Sequence, residues 1–428
     1  MATTAGATTG ATTGTATLSH KAVQPDISYA PDFAKYQART KKRLANEKLH
    51  EQSLPPGFPT KLEGGFVWDG DSIQGTYEWV HKLSHVELAE VEDALRYFKS
   101  LNQGLGFVNE ETFPLPRLHP ILRDVSKELH YGHGFKVIRG LPVDKHTRED
   151  NFIIYAGISS HIAPDRGRQD SKFHGKPADV VLAHIKDLSN TAEKGNIGSP
   201  AYTTDKQVFH TDVGEIVSLL CLNPAAEGGQ SKVASNWRVY NEFAATRPDL
   251  IKTLSEPWIA DGFGRPNKPY TIRPLLYHQP ATSKSPERVI VQYARRSFTG
   301  FQALSRTPTI PPITEAQAEA LDALHFTAER LSLGLDFQKG DIQYINNLVT
   351  FHARDGFKDT AEQQRHLVRL WLRDPEHGWE MPEPLRSRWD EVYAGVTPEK
   401  QVFPLEPGIR SASNGAENKQ EDVKTVSG

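Results

Sequence analysis

One cysteine, Cys221, and two methionines stand among the 428 residues. A single thiol excludes an intrachain disulfide. Cys221 lies in the apolar run 216–222, where a buried and unreactive thiol is expected. Nowhere does an apolar run approach the ~20 residues that span a bilayer, and no signal-peptide pattern is visible at the first residues. Neither sign of charge dominates: 50 Lys and Arg against 53 Asp and Glu leave a net charge of −3. There is thus no electrostatic case for nucleic acid or anionic membrane as a partner. Together these absences predict a soluble protein of a reducing, cytoplasmic compartment. With 37% hydrophobic and 24% charged residues, the chain is globular in composition and long enough for one large domain or two ordinary ones.

Residues 1–19 are nearly all Thr, Ala and Gly. They have too little apolar surface to offset the entropy of ordering and are expected to be disordered. Residues 409–428 are polar and expected to be a tail. Between them, 20–65 reads as a peripheral helix (35–51) and a Pro- and Gly-rich linker (53–65), and 66–408 as a single domain. Capping-box pairs Ser84/Glu87 and Thr314/Gln317 predict two helices, the second with Leu321, Leu324, Ala328 and Leu331 on one face. Strands are expected at 135–138, 215–222, 231–234, 289–293, 342–345 and 366–372. Strands so widely spread, with helices inserted, suit a mainly β fold, an antiparallel sandwich or jelly roll, better than a doubly wound sheet.

Phe209-His210-Thr211-Asp212 carries the most chemistry. Residues two apart in an extended segment project to one side, so His210 and Asp212 can reach one metal. His352 is the best candidate for a third ligand. Two histidines and a carboxylate on one face of an octahedron leave three positions open, the set typical of iron(II) oxygenases. A His-x-Asp pair arises about once by chance in a chain of this composition, so the pair needs its context. That context is 365–373, where Arg365, Arg369 and Arg373 fall on one face of an apolar strand, with His366, Val368, Leu370 and Leu372 on the other. Arginine suits the bidentate grip of a carboxylate. Arg365 and Arg369 stand about 13 Å apart along a strand, far enough to serve two anions. The alternative is a solvated edge with ordinary ion pairs, the reading preferred for Arg373. Gly228-Gly229 reads locally as a hairpin turn.

These segments resemble the TauD/TfdA family of 2-oxoglutarate-dependent dioxygenases, most closely a fungal branch. The likeness rests on 209–212, on Glu227-Gly228-Gly229-Gln230-Ser231, and on His352 followed by Arg365 and Arg369. It implies a double-stranded β-helix core, iron(II) held by His210, Asp212 and His352, and the distal carboxylate of 2-oxoglutarate held by Arg365 and Ser231. It also implies that Arg369 grips an anionic group of a small primary substrate, which dioxygen oxidises at a C–H bond with release of succinate and carbon dioxide. Desaturation or ring closure at the same site is an alternative outcome. Further alternatives are a non-catalytic metal-binding jelly roll and, less favoured, a zinc hydrolase. Residues 161–194 fall where the family has its substrate lid, which makes His161 a candidate substrate contact. Whether the chain forms a homo-oligomer is left open.

Overall fold

The charged N-terminal segment forms helix α1 (Phe33–Asn46), which Asp32 caps by accepting from the Lys35 amide. Both capping boxes form as well. Ser84 and Glu87 exchange hydrogen bonds at the head of α2 (His85–Ser100). Two further helices, α3 (Leu118–Tyr131) and α4 (Arg148–Ile162), were not expected from the sequence. The head of α3 is capped from outside its own segment: Glu90 of α2 accepts the amides of Arg117 and Leu118 at 2.7 and 3.0 Å. α4 is buried all the way from Asn151 to Ile162, so it has no polar stripe to betray its period. Thr314 and Gln317 then open α5 (Glu315–Leu331). This computed structural model describes residues 23–49, 52–263, 269–283 and 285–415. The expected disorder of 1–19 lies outside them.

α1 is bound to the body by buried charge. Arg43 and Arg247 (2.7 Å) both pair with Glu319 of α5, which is 0% exposed. Arg39 and Arg295 reach Asp322 at 2.6 and 2.7 Å.

Eleven strands build the two principal sheets. In chain order they are β1 (Val80–Lys82), β2 (Phe135–Arg139), β3 (Asp165–Arg166), β4 (Leu182–Lys186), β5 (Gln207–His210), β6 (Ile216–Asn223), β7 (Ser231–Ser235), β8 (Leu333–Leu335), β9 (Ile342–Asn346), β10 (Thr350–Arg354) and β11 (His366–Arg373). The larger sheet runs β1-β2-β9-β6-β11-β3, with β4 also on β11; the smaller runs β8-β7-β10-β5. All these pairs are antiparallel except β1 with β2. The strand expected at 289–293 forms as Arg288–Val291, but in a separate hairpin with Leu276–Gln279. The architecture is therefore sheet-rich and mixed, with helices on the outside.

Alternation along β11 works as the sequence predicts. Val368, Leu370 and Leu372 join the core under α3 and α4, together with Phe152, Ile158 and Tyr344. Leu367 and Trp371 point the other way, into separate clusters. The second large core packs α5 against Phe209, Ala234 and Phe351 of the smaller sheet.

Two alternative readings and one expectation need correction. β11 is no solvated edge, because β6 flanks it on one side and β4 with β3 on the other. Gly228 and Gly229 do not turn a hairpin. The chain stays paired from Glu227↔Lys358 through Ser231↔Arg354, and the two residues, at φ +75° and +71°, kink that ladder. The tail expected from 409 is packed as far as 415: Ser413 is buried and Asn414 bridges to Ile197.

Candidate metal and co-substrate site

His210 and His352 face each other directly across the β5/β10 pair, which puts their rings on one face with centroids 4.2 Å apart. Asp212 follows β5 by two residues, its Oδ1 3.7 Å from His210 Nε2. One ligand atom from each of the three lies within 4.8 Å of the others. The loop that carries Asp212 is clamped on both sides. Asn347, wholly buried, donates to the carbonyls of Asp212 and Gly214 at 2.9 and 2.8 Å and accepts the Asp212 amide at 2.7 Å. Thr211 exchanges hydrogen bonds with the Tyr293 backbone. Sequence reading missed Asn347, since no local pattern marks a residue that acts across 135 positions.

Protonation states suit a cation. Burial lowers the pKa of His210, and burial with His210 as neighbour takes His352 down to about 3. Both rings are thus neutral and have lone pairs to offer. His210 Nδ1 donates to the Val208 carbonyl at 2.9 Å, which leaves Nε2 as the acceptor. His352 Nδ1 is buried without a partner among the described residues. Burial alone would raise the Asp212 pKa, but Arg369, the two histidines and the Trp371 N–H hold it well below the ordinary carboxylate range. Two neutral imidazoles and one carboxylate, with a shielded nitrogen unsatisfied, fit a divalent iron ion.

Between the sheets, the cavity beside this cluster is lined by residues from both, including Ser231, Arg354, Arg365 and Arg369. Arg365 is 5% exposed, stacks on Phe357 at 5.4 Å, and has no ion pair or side-chain hydrogen bond among the described residues. Burial takes its pKa down to about 10, and the charge of Asp359 offsets only part of that. Gly229 permits this placement: a Cβ there would meet Arg365 Cδ and Nε at 3.3 Å. Ser231 Oγ donates to Gln343 Oε1 at 2.9 Å, while Gln343 Nε2 is buried without a partner. Turning that amide over would satisfy the nitrogen on Ser231 and free the hydroxyl proton for a ligand. Arg354, which sequence reading passed over, donates to the carbonyls of Pro200 and Thr203 at 3.3 and 3.1 Å. Burial and the nearby Arg365 take its pKa down to about 9.

Arg369 is buried. Its Nη1 donates to Asp212 Oδ2 at 2.7 Å and its Nε to Gln169 Oε1 at 2.8 Å, and Nη2 is shielded without a partner among the described residues. It therefore steadies the oxygen of Asp212 that is turned away from His210. Arg373, expected in an ordinary ion pair, approaches Glu215 at 3.8 Å and not its neighbour Asp374. His161 is not brought to the cavity. It ends α4, donates from Nε2 to the Phe113 carbonyl (2.9 Å), shares a hydrogen bond between its Nδ1 and His119 Nδ1 (2.9 Å), and forms with His119 and Glu110 a second, separate cluster. His161, the first residue of the stretch expected as a lid, thus belongs to α4. Cys221 is buried, and burial pushes its thiol up to about 12, in keeping with an unreactive role. Among the described residues no helix is long and apolar enough to cross a membrane.

The family model for "Taurine catabolism dioxygenase TauD, TfdA family" matches residues 98–371. The chain is 38% identical over 358 residues to the taurine hydroxylase-like protein SAT17 of Stachybotrys chartarum, covering 81% of this chain and 89% of that one. In fold it is similar to an asparagine oxygenase solved with Fe(II), 3-hydroxyasparagine and succinate, at a TM-score of 0.50 and 17% identity over 71% of this chain and 98% of that one. It is similar also to the non-heme iron oxygenase OrfP solved with Fe and alpha-ketoglutaric acid, at a TM-score of 0.51 and 15% identity over 76% and 99% of the two chains.

Proposed function

The chain belongs to the TauD, TfdA family and is an iron(II)- and 2-oxoglutarate-dependent dioxygenase; on that premise we propose that it oxidises a C–H bond of a small anionic substrate, with the roles of its residues as follows. The observation that carries this reading is the cluster of His210, Asp212 and His352 beside a cavity that also holds a buried Arg365 with no ion pair among the described residues. We read the two sheets as the walls of a double-stranded β-helix whose interior is that cavity.

His210, Asp212 and His352 would hold iron(II). When bound, iron with 2-oxoglutarate and dioxygen supplies the oxidant, and the co-substrate leaves as succinate and carbon dioxide. The protein's own part is binding and orientation. Arg365 neutralises the distal carboxylate of 2-oxoglutarate in a dry pocket, and Ser231 adds a hydroxyl donor. Arg369 spends one nitrogen on Asp212 and one on Gln169, which leaves its free N–H for an anionic group of the substrate. Ile185, Val217 and Leu219 line the cavity with apolar surface and limit water beside the reacting bond.

The test is anaerobic loading with iron(II) and 2-oxoglutarate, then air, with small sulfonates and amino acids screened for succinate release. His352→Ala should lose iron and turnover while the fold survives. Arg369→Ala should still release succinate but lose oxidised product. A His352→Ala protein with full iron content and activity would mean that the third ligand is another residue. Arg369→Ala with wild-type substrate affinity would remove the anionic-substrate class.

A further inference from the structure

The packed segment 409–415 straps the region between α4 and β5. Ser411 donates its amide to Asp170 Oδ2 at 2.6 Å, near the start of that region. Asn414 bridges to Ile197, and the Gly198 amide donates to the Ser413 carbonyl at 2.9 Å, near its end. Within the strap, the Arg410 amide donates to the Tyr202 hydroxyl at 3.2 Å, and Arg410 Nη1 donates to the Gln169 carbonyl at 3.3 Å.

These contacts bring a second guanidinium beside Arg369 at the Trp371 indole. Arg410 lies 5.5 Å from the centroid of the Trp371 indole, and Arg369 lies 5.0 Å from the same centroid. Gln169 touches both, since its side-chain oxygen accepts from Arg369. Trp371 itself donates to Asp212 Oδ2 at 3.0 Å. Each arginine keeps one shielded nitrogen without a partner among the described residues, Nη2 in Arg369 and Nε in Arg410. Asp212 is shared between Arg369 and Trp371, and Asp170 is taken by the amide and hydroxyl of Ser411. Two neighbouring cations that face one carboxylate, Asp212, and each keep an unsatisfied donor among the described residues retain net positive charge and form a receptor for an anion.

We propose that Arg410, delivered by this C-terminal strap, is a second positioning residue for the anionic group of the primary substrate and acts together with Arg369. The inference rests on the reading of Arg369 given above. The head group best suited is a tetrahedral oxyanion, a sulfonate or phosphonate. Its three oxygens can serve two guanidinium groups, whereas a planar carboxylate is satisfied by one fork.

The test measures anion affinity calorimetrically in full-length holoenzyme, held under argon with iron(II) and saturating 2-oxoglutarate. The probes are methanesulfonate, methylphosphonate and acetate. Arg410→Ala, and Arg410→Gln (which keeps a donor for the Gln169 carbonyl), should weaken the better tetrahedral probe by at least about tenfold, the scale of one charge-assisted hydrogen bond. Affinity for 2-oxoglutarate should stay within about twofold, as independent sites require, and Arg410→Lys should recover part of the loss. A merely structural strap would not split the two affinities. Wild-type probe binding in folded Arg410→Gln overturns the inference, as does an equal loss of 2-oxoglutarate affinity, or a wild type that binds acetate best or none of the three. Arg369→Ala, run in parallel, separates the two readings. If it leaves probe binding intact, the substrate-anion role of Arg369 fails; if it abolishes binding that Arg410→Gln retains, only the strap inference fails.

Discussion

Replacing Arg365 with alanine removes a buried cation that has no ion pair among the described residues, so its effects on folding and on ligand binding should part company. Burial takes its pKa down to about 10. At ~1.4 kcal/mol per unit, holding the charge there costs the empty protein on the order of 3 kcal/mol. Alanine relieves that cost and forfeits the contact of the guanidinium with the Phe357 ring together with the burial of the side chain, a loss of similar size. The apoprotein should therefore change stability by no more than about 1 kcal/mol in either direction. Binding of 2-oxoglutarate should respond very differently. A carboxylate left unpaired in a buried pocket loses about 3–5 kcal/mol, or roughly a hundred- to a thousandfold and more in affinity. Arg365→Lys keeps the charge but not the fork and should fall in between. The assays are urea unfolding of the apoprotein and anaerobic titration of the iron-loaded protein with 2-oxoglutarate. Should Arg365→Ala bind 2-oxoglutarate as the wild type does, the co-substrate is held elsewhere. Should it instead unfold several kcal/mol more easily, Arg365 is structural and the argument from its missing ion pair is wrong.

Ser231→Ala should lower 2-oxoglutarate affinity by only several-fold, the worth of about 1 kcal/mol for one hydroxyl donor; a loss as large as that of Arg365→Ala would reverse their ranking. Glu319→Ala removes one of the two buried carboxylates that Arg43 and Arg247 share, Asp249 keeping both partly paired, which should cost about 1.5–3 kcal/mol of stability. Urea midpoints measure it, and an unchanged midpoint would mean that α1 is not held by this network. His325 is neutral in the fold, its pKa pushed down to about 3 chiefly by burial. The unfolded chain takes up that proton near pH 6.5, so its contribution is lost as pH falls from 6.5 toward 3, by on the order of 2 kcal/mol at pH 5. His325→Gln should show a smaller drop in stability between pH 7 and pH 5 than the wild type, and equal drops would refute the assignment.

Local chemistry was legible wherever a few neighbouring residues decide the outcome. The capping boxes at Ser84 and Thr314, the alternation of β11 and the His210-x-Asp212 pair are all of this kind, because the partners lie within three residues or one pleat. The sequence by itself thus determined these local pairs and how β11 divides its faces. What it left undecided depends on contacts between distant segments. α3 has its cap on another helix, and α4 is buried on every side, so neither displays a local signal. Arg369 reads as a free anion receptor on its strand, but tertiary structure commits one of its nitrogens to Asp212, 157 residues away. His161 falls in the lid by its position, yet α4 turns it to Phe113 and His119. Arg410 sits in a segment whose composition promises only a tail. Nothing nearby in sequence foretells that Asp170, Ile197 and Tyr202 will bind it down. A hydrogen bond between residues 200 positions apart leaves no periodic trace along the chain, and only the folded arrangement decides whether a side chain finds a partner, a ligand or neither.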